Sequence, residues 1–187
     1  MNGFVVIAVL AMSLATTIAQ ARDLEPSESR LVFPRSFHME FDQVVYSRIN
    51  SVGPAQHESW AFKNAELVLE TLPDSWHTPE DETTHGEFLK TVSQWENLKQ
   101  GGIKVPATNI RKATARNRTF LYAFAWDPSK TFRCFISTAH LGIGKLARAP
   151  KSPIGILFFY SCAHKDHDRF DKFDNRMLTY MRTIRMK

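Results

Sequence analysis

The segment Cys162 to Asp168 reads Cys-Ala-His-Lys-Asp-His-Asp, so a thiol, two imidazoles and two carboxylates lie within seven positions. These groups are the ligands that transition metals take in proteins, and they also serve as nucleophiles and acid–base catalysts. His140 is the candidate for a more distant ligand. The segment therefore makes His164, His167 and His140 weak candidates for a metal-dependent or hydrolytic site.

A polar turn explains the same residues. Lys165 puts a positive charge inside the cluster, and Asp166 or Asp168 can act as the N-cap of a following helix. The chain has neither a G-x-S-x-G motif nor a phosphate-binding glycine loop. We therefore assign no catalytic residue, no metal and no cofactor, and an enzyme is not the favoured interpretation.

The first 21 residues carry no Asp, Glu, Lys or Arg and end on Ala19-Gln20-Ala21. An apolar stretch that ends in a small-x-small triplet predicts a secretory signal peptide cleaved after Ala21. The alternative is an uncleaved membrane anchor, which needs about 20 apolar residues. No second such stretch follows, so we expect a periplasmic or secreted protein without a transmembrane segment after cleavage.

Two cysteines, Cys134 and Cys162, are present in the chain. In an oxidising compartment an even pair predicts one disulfide bond. Both residues lie in strand-like sequence, where pairing across neighbouring strands is geometrically possible. The alternative is a pair of buried free thiols.

The net charge of +5 conceals an uneven distribution of acidic and basic residues along the chain. Between positions 40 and 98, eleven acids face three bases, a balance of −8, whereas between 99 and 151 eleven bases face one acid, a balance of +10. Such asymmetry predicts an anionic partner: an anionic polymer, an envelope component or an acidic protein. Nucleic acid is not favoured, because no recognised binding motif accompanies the bases. The candidate binding residues are Arg111, Lys112, Arg116, Arg118, Lys130, Lys145, Arg148 and Lys151. In the competing interpretation, the acidic segment folds against the basic one.

The elements that must position these residues differ between the two halves of the chain. Apolar spacing predicts a helix over 36–50, although the alternation of Phe37, Met39 and Phe41 also fits a strand in its first half. The segment 56–72 fits either a helix or a short strand. A capping box at Thr84 predicts a helix that carries Phe88, Val92, Trp95 and Leu98 on one face and ends at Gly101-Gly102.

The second half changes to strand periodicity. The runs 120–126 and 131–138 surround the turn sequence that begins at Asp127 and predict an antiparallel hairpin. Tyr122, Phe124 and Trp126 are expected to be core residues at alternate positions. The apolar run 154–162 suits a central strand, and apolar spacing from Phe170 to Ile184 predicts a closing amphipathic helix.

Together these patterns predict a single α+β domain over 22–187. Helices would pack on one face of a small antiparallel sheet, and an amphipathic helix would close the chain. We expect an exported, non-enzymatic interaction module that binds an anionic partner through its basic segment. Two alternatives remain: an enzyme centred on His164 and His167, and an inhibitor or immunity-type protein that blocks a partner protein.

Overall fold

A computed structural model of the protein describes residues 22–25, 27–40, 44–52, 55–72, 85–115, 118–141 and 154–187. Eight strands form one antiparallel sheet in the order β1-β3-β4-β5-β9-β8-β7-β6, and β2 pairs separately with β10. The strands are β1 (Arg22–Asp23), β2 (Leu31–Val32), β3 (Val44–Val52), β4 (Ala55–Phe62), β5 (Ala65–Leu72), β6 (Arg111–Ala115), β7 (Arg118–Trp126), β8 (Phe132–Leu141), β9 (Ile154–His164) and β10 (Arg185–Met186).

The predicted fold class, an α+β domain with helices on one face of a small sheet, is wrong. The structure is mostly antiparallel sheet, and its described helices are few and short: α1 (Arg35–Glu40), α2 (His85–Gln94), α3 (Glu96–Gln100) and α4 (Phe173–Thr183). The longest of them has 11 residues. The sheet is not small, and helices cover both of its faces instead of one.

The errors arise in the first half, where helical and strand periods overlap. The helix predicted over 36–50 is limited to α1, after which β3 begins at Val44. The ambiguous segment 56–72 forms the hairpin of β4 and β5, with Phe62 paired to Ala65. Ala65, Leu67 and Leu69 are buried while their neighbours are half-buried. Burial therefore repeats every two residues, which is the period of a strand. Packing against the neighbouring strands favours this period over the 3.6-residue period of a helix.

The strands predicted in the second half are confirmed. β7 and β8 form the expected antiparallel hairpin, and β9 lies between β8 and β5 at the centre of the sheet. Asp127 organises the tight connection, because its Oδ1 accepts the N–H groups of Thr131 and Phe132, each at 2.7 Å. The hydroxyl of Ser129 also donates to Asp127. These hydrogen bonds lower the pKa of Asp127, that from the Ser129 hydroxyl most, which keeps the turn carboxylate ionised.

The predicted helix after Thr84 is present but breaks at Trp95, whose backbone is extended between α2 and α3. The predicted end at the glycine pair is confirmed. Gly102 adopts φ +66°, its N–H donates to the Lys99 carbonyl at 3.0 Å, and the N–H of Ile103 donates to the Leu98 carbonyl at 2.9 Å. This pair of bonds is the Schellman termination of a helix, which needs a left-handed residue at that position.

One face of the sheet, here called the α4 face, holds the larger core. Five side chains of the central strands project to this face and are 0% exposed: Leu67, Leu69, Phe135, Leu157 and Phe159. The predicted closing helix is confirmed as α4, which covers them with Phe173, Met177, Tyr180 and Met181.

The opposite face, here called the α2 face, holds a second core. Cys134, Ile136 and Tyr160 of the central strands pack there against Phe88 and Val92 of α2 and Leu98 of α3. Strands β8 and β9 are therefore covered on both faces, which explains the continuous apolar run of β9.

The predicted disulfide is confirmed. Cys134 on β8 and Cys162 on β9 lie directly opposite each other with a Cα–Cα distance of 4.0 Å, and their sulfur atoms are bonded. A disulfide is compatible with an exported protein. The predicted signal peptide, residues 1–21, lies outside the described residues.

A buried carboxylate attaches the N-terminal part of the chain to the sheet. Glu58 on β4 is 2% exposed, and its oxygens accept hydrogen bonds from the Ser29 hydroxyl, the Arg30 N–H at 2.9 Å and the Trp60 indole N–H at 2.7 Å. A buried charge is tolerated only when donors satisfy it in this way. These bonds hold the residues that lead into β2, and β2 in turn pairs with β10.

The disulfide closes a loop with a sequence separation of 28. On the loop-entropy model we expect the Cys134→Ala/Cys162→Ala variant to lose about 3–4 kcal/mol of unfolding free energy. The melting temperature should then fall by roughly 10 °C for a domain of this size. Urea and thermal unfolding of the variant and of reduced wild type measure the loss. A variant as stable as the oxidised wild type contradicts this contribution.

The two adjacent glycines give a matched pair of substitutions. A Cβ at Gly102 would require the left-handed region and would lie 3.0 Å from the Cγ of Pro128. We expect Gly102→Ala to cost about 1–2 kcal/mol of unfolding free energy. Gly101 has φ −70°, and a Cβ there would lie 3.3 Å from the Asn97 carbonyl oxygen, so Gly101→Ala should change the unfolding free energy by less than about 1 kcal/mol. Urea unfolding compares them, and equal losses would refute the role of the left-handed turn.

Candidate functional sites

The histidine segment forms the end of β9 and the turn that follows. The His164 ring packs edge-on against the exposed Phe132 ring at a centroid distance of 5.0 Å. Its Nδ1 accepts the N–H of Asp166 at 3.2 Å, and Nδ1 of His167 accepts the N–H of Arg169 at the same distance. Both imidazoles therefore use one nitrogen to shape the turn.

The structure does not bring His140 to this turn. Phe132 lies opposite His164 and His140 lies opposite Ile156, so the two histidines are separated by eight positions along paired strands. At 3.3 Å a residue this is about 26 Å. Cys162 is occupied by the disulfide. Within the described ranges, no group of three His, Cys, Asp or Glu side chains is suited to hold a metal ion.

Two of the predicted basic residues lie on β6, the strand at one edge of the sheet. Arg111 and Lys112 are both exposed, opposite Tyr122 and Leu121 of β7. Successive strand residues point to opposite faces, so the pair places positive charge on both sides of the edge. We call this feature, Arg111 and Lys112 on β6, the basic edge.

The other predicted basic residues are distributed differently. Arg118 begins β7 and is paired with Ala115, at the opposite end of β6 from Arg111, whereas Lys130 is exposed in the turn between β7 and β8. Arg116, Lys145, Arg148 and Lys151 lie outside the described residues.

Several nearby charges already have local partners. Arg133 makes two bonds to the Asp174 carboxylate, at 2.8 and 2.6 Å, and Lys99 lies 3.7 Å from Glu96. Asp127, the one acid between 99 and 151, is held in its turn. Arg111 makes no ion pair with any acid in the described part of the chain.

An aromatic cluster surrounds Arg133 on the α4 face. Its guanidinium lies 4.9 Å from the centre of the Phe124 ring and 5.5 Å from that of Trp126. Trp126 was expected in the core but is 37% exposed, and its ring contacts Phe170 at 5.6 Å. The stacked guanidinium and its bidentate carboxylate fix α4 to the hairpin.

Sequence reasoning missed a hydrogen-bonded group on the α2 face. Tyr160 on β9 lies opposite the half-buried Glu66 on β5, and its hydroxyl hydrogen-bonds to the Glu66 carboxylate and accepts the Asn97 amide at 2.9 Å. Trp95 packs on the Tyr160 ring at 5.0 Å. Burial raises the pKa of Glu66, and the tyrosine bond opposes this in part. The available signal was the presence of two acids, Glu66 and Glu70, in the otherwise mostly apolar run of β5.

A groove opens between α2 and the segment that follows α3. Its volume is about 430 Å³, and it is lined by Leu89, Val92, Ser93, Lys99, Gly102, Ile103, Lys104 and Val105. Four of these side chains are aliphatic, and the charged ones are both lysines. The Schellman turn at Gly102 sets one wall, because it directs Ile103 back over Leu98.

The chain matches no family model, and comparison with curated proteins and with solved structures finds no match. In the portion that the structure describes, no helix is both long enough and apolar enough to cross a membrane.

The raised pKa of Glu66 predicts a pH-dependent stability difference. Above its folded pKa the buried carboxylate must ionise, which costs folding free energy that the unfolded chain does not incur. Glu66→Gln keeps an acceptor for Tyr160 and should therefore be more stable than wild type at pH 7. The difference should shrink as the pH falls through the folded pKa and vanish below the ordinary glutamate value.

Urea unfolding at several pH values tests this difference. Glu25→Gln, at an exposed position, controls for the loss of one negative charge. A Glu66→Gln variant that is less stable than wild type at pH 7 would mean that the ionised carboxylate is required by Tyr160.

Proposed function

We propose that the protein is an exported interaction module that binds an anionic partner through the basic edge. The observation that carries this proposal is the position of Arg111 and Lys112, exposed on the terminal strand of the sheet. No acidic residue occurs between positions 99 and 126, and Arg111 makes no ion pair in the described part of the chain. Exposed positive charges create an electrostatic field that attracts anionic ligands and speeds their association.

The competing explanation is that the acidic segment neutralises this edge. Three of its acids have other partners: Glu58 is bound by Ser29, Arg30 and Trp60, Glu66 by Tyr160, and Glu96 lies beside Lys99. Strands β4 and β5 also lie on the other side of β9 and β8 from the basic edge. Both facts favour an Arg111 side chain that remains available to a partner.

Export is proposed from the apolar sequence before Arg22, together with the disulfide. Arg22, the expected first residue of the mature chain, is also the first residue of β1. The partner classes that fit this compartment are anionic polymers, envelope components with phosphate or carboxylate groups, and acidic proteins.

Dextran sulfate is a suitable probe of the basic edge. We expect wild type to bind it and the affinity to fall steeply with salt, because the screening length shrinks from ~10 Å at 0.1 M to ~3 Å at 1 M. Arg111→Glu/Lys112→Glu should weaken binding at 0.1 M salt by roughly tenfold or more, about 1.4 kcal/mol. Its unfolding free energy should change little, since exposed charges contribute little to stability.

The matched control is Lys165→Glu/Lys172→Glu, which makes the same change in net charge at exposed positions outside β6. It should retain most of the affinity. A wild type that ignores dextran sulfate, combined with a destabilised edge variant, would support the competing explanation and end this proposal.

A further inference from the structure

We propose that the groove between α2 and the segment after α3 binds a small anionic amphiphile: a molecule with one carboxylate or phosphate head and a hydrocarbon body. This site is separate from the basic edge and does not depend on the proposed function. Its volume of about 430 Å³ falls in the range of small-molecule sites, roughly 300–1,000 Å³.

The groove lining accounts for the hydrocarbon body. Leu89 and Val92 on α2 face Ile103 and Val105 on the opposite wall, and all four contribute to the core cluster of the α2 face or pack against it. Their remaining exposure is apolar surface that a hydrocarbon chain would remove from water. A purely ionic ligand would make no apolar contact with these four side chains.

Charge complementarity accounts for the head group. The two charged residues that line the groove are Lys99 and Lys104, and the lining includes no acid. Lys104 is exposed on the segment after α3. The bond of Lys99 to Glu96 is long, at 3.7 Å, and both side chains are more than 60% exposed. Such a surface pair is weak, so Lys99 can turn to an anionic head at little cost.

Backbone contacts anchor the wall of the groove that follows α3. Gly102 lies against Pro128 of the β7–β8 turn, and the N–H of Ile103 is bonded to the Leu98 carbonyl. Leu98 itself is 1% exposed in the core of the α2 face. The groove is thus formed before any ligand arrives, which reduces the ordering cost of binding.

Calorimetry with three probes on the full chain tests the ligand class. We expect saturable binding of dodecanoate below its micelle concentration, with amide NMR shifts concentrated in residues 89–105. Dodecyltrimethylammonium, with the same chain and the opposite charge, should bind at least tenfold more weakly, and acetate should not bind. Equal affinity for the ammonium compound overturns the assignment of the head group. Shifts that lie elsewhere overturn the site.

Two variants test the residues. Lys104→Gln should weaken dodecanoate binding by about tenfold, the loss of one charge-assisted contact. Val105→Trp should fill the groove and remove binding, with its melting temperature reported alongside. Lys90→Gln, exposed on α2 and outside the lining, is the matched control and should bind as wild type does. The Arg111→Glu/Lys112→Glu variant should also keep this affinity. Binding that survives Lys104→Gln and a folded Val105→Trp refutes the proposal.

Discussion

The pairing of β8 with β9 is the constraint on which the rest of the domain depends. Phe135 and Phe159 point from this pair to the α4 face, while Ile136 and Tyr160 point to the α2 face. A strand pair that is covered on both sides carries apolar side chains at most positions. Ser137 and Thr138 of β8 are exceptions, since both are at most 1% exposed and their hydroxyls have no hydrogen-bond partner in the described part of the chain. The cores that the helices cover, the β4–β5 hairpin and strand β7 are all positioned by contact with these two strands. A change in their register by one residue would exchange the two cores.

The parts of the fold that sequence predicts well are those in which local and tertiary signals agree. The alternation in 120–126 and the turn at Asp127 define the β7–β8 hairpin without help from distant residues, and the Gly101-Gly102 pair defines the end of α3. The segments 36–50 and 56–72 carry apolar residues at spacings that suit both periods. Their state is decided by partners distant in sequence, such as β9 for β5, and a single sequence does not reveal these partners.

The candidate sites likewise depend on contacts between distant parts of the chain, which the local sequence does not predict. Arg111 and Lys112 are exposed because β6 is the last strand in the sheet order. The local sequence pattern does not predict that position. The sequence offered His140 as a more distant ligand for the segment of His164, yet antiparallel pairing places the two histidines at opposite ends of the β8–β9 pair. The contact of Glu66 with Tyr160 and the groove beside Gly102 arise only when separated elements meet.

The strand order also has a consequence for the order of assembly. The meander of β6 to β9 has contacts between neighbours in sequence, and its disulfide links two of its own strands. Within the sheet, the meander of β3 to β5 pairs with the β6–β9 meander through the contact of β5 with β9. Long-range pairing of this kind is slow because the intervening chain must first be closed into a loop. Until β9 is in place, β5 presents Leu67 and Leu69 on an unpaired edge, the kind of surface on which partly folded chains associate. Early oxidation of Cys134 and Cys162 would shorten that interval by fixing β9 beside β8 as a ready template for β5.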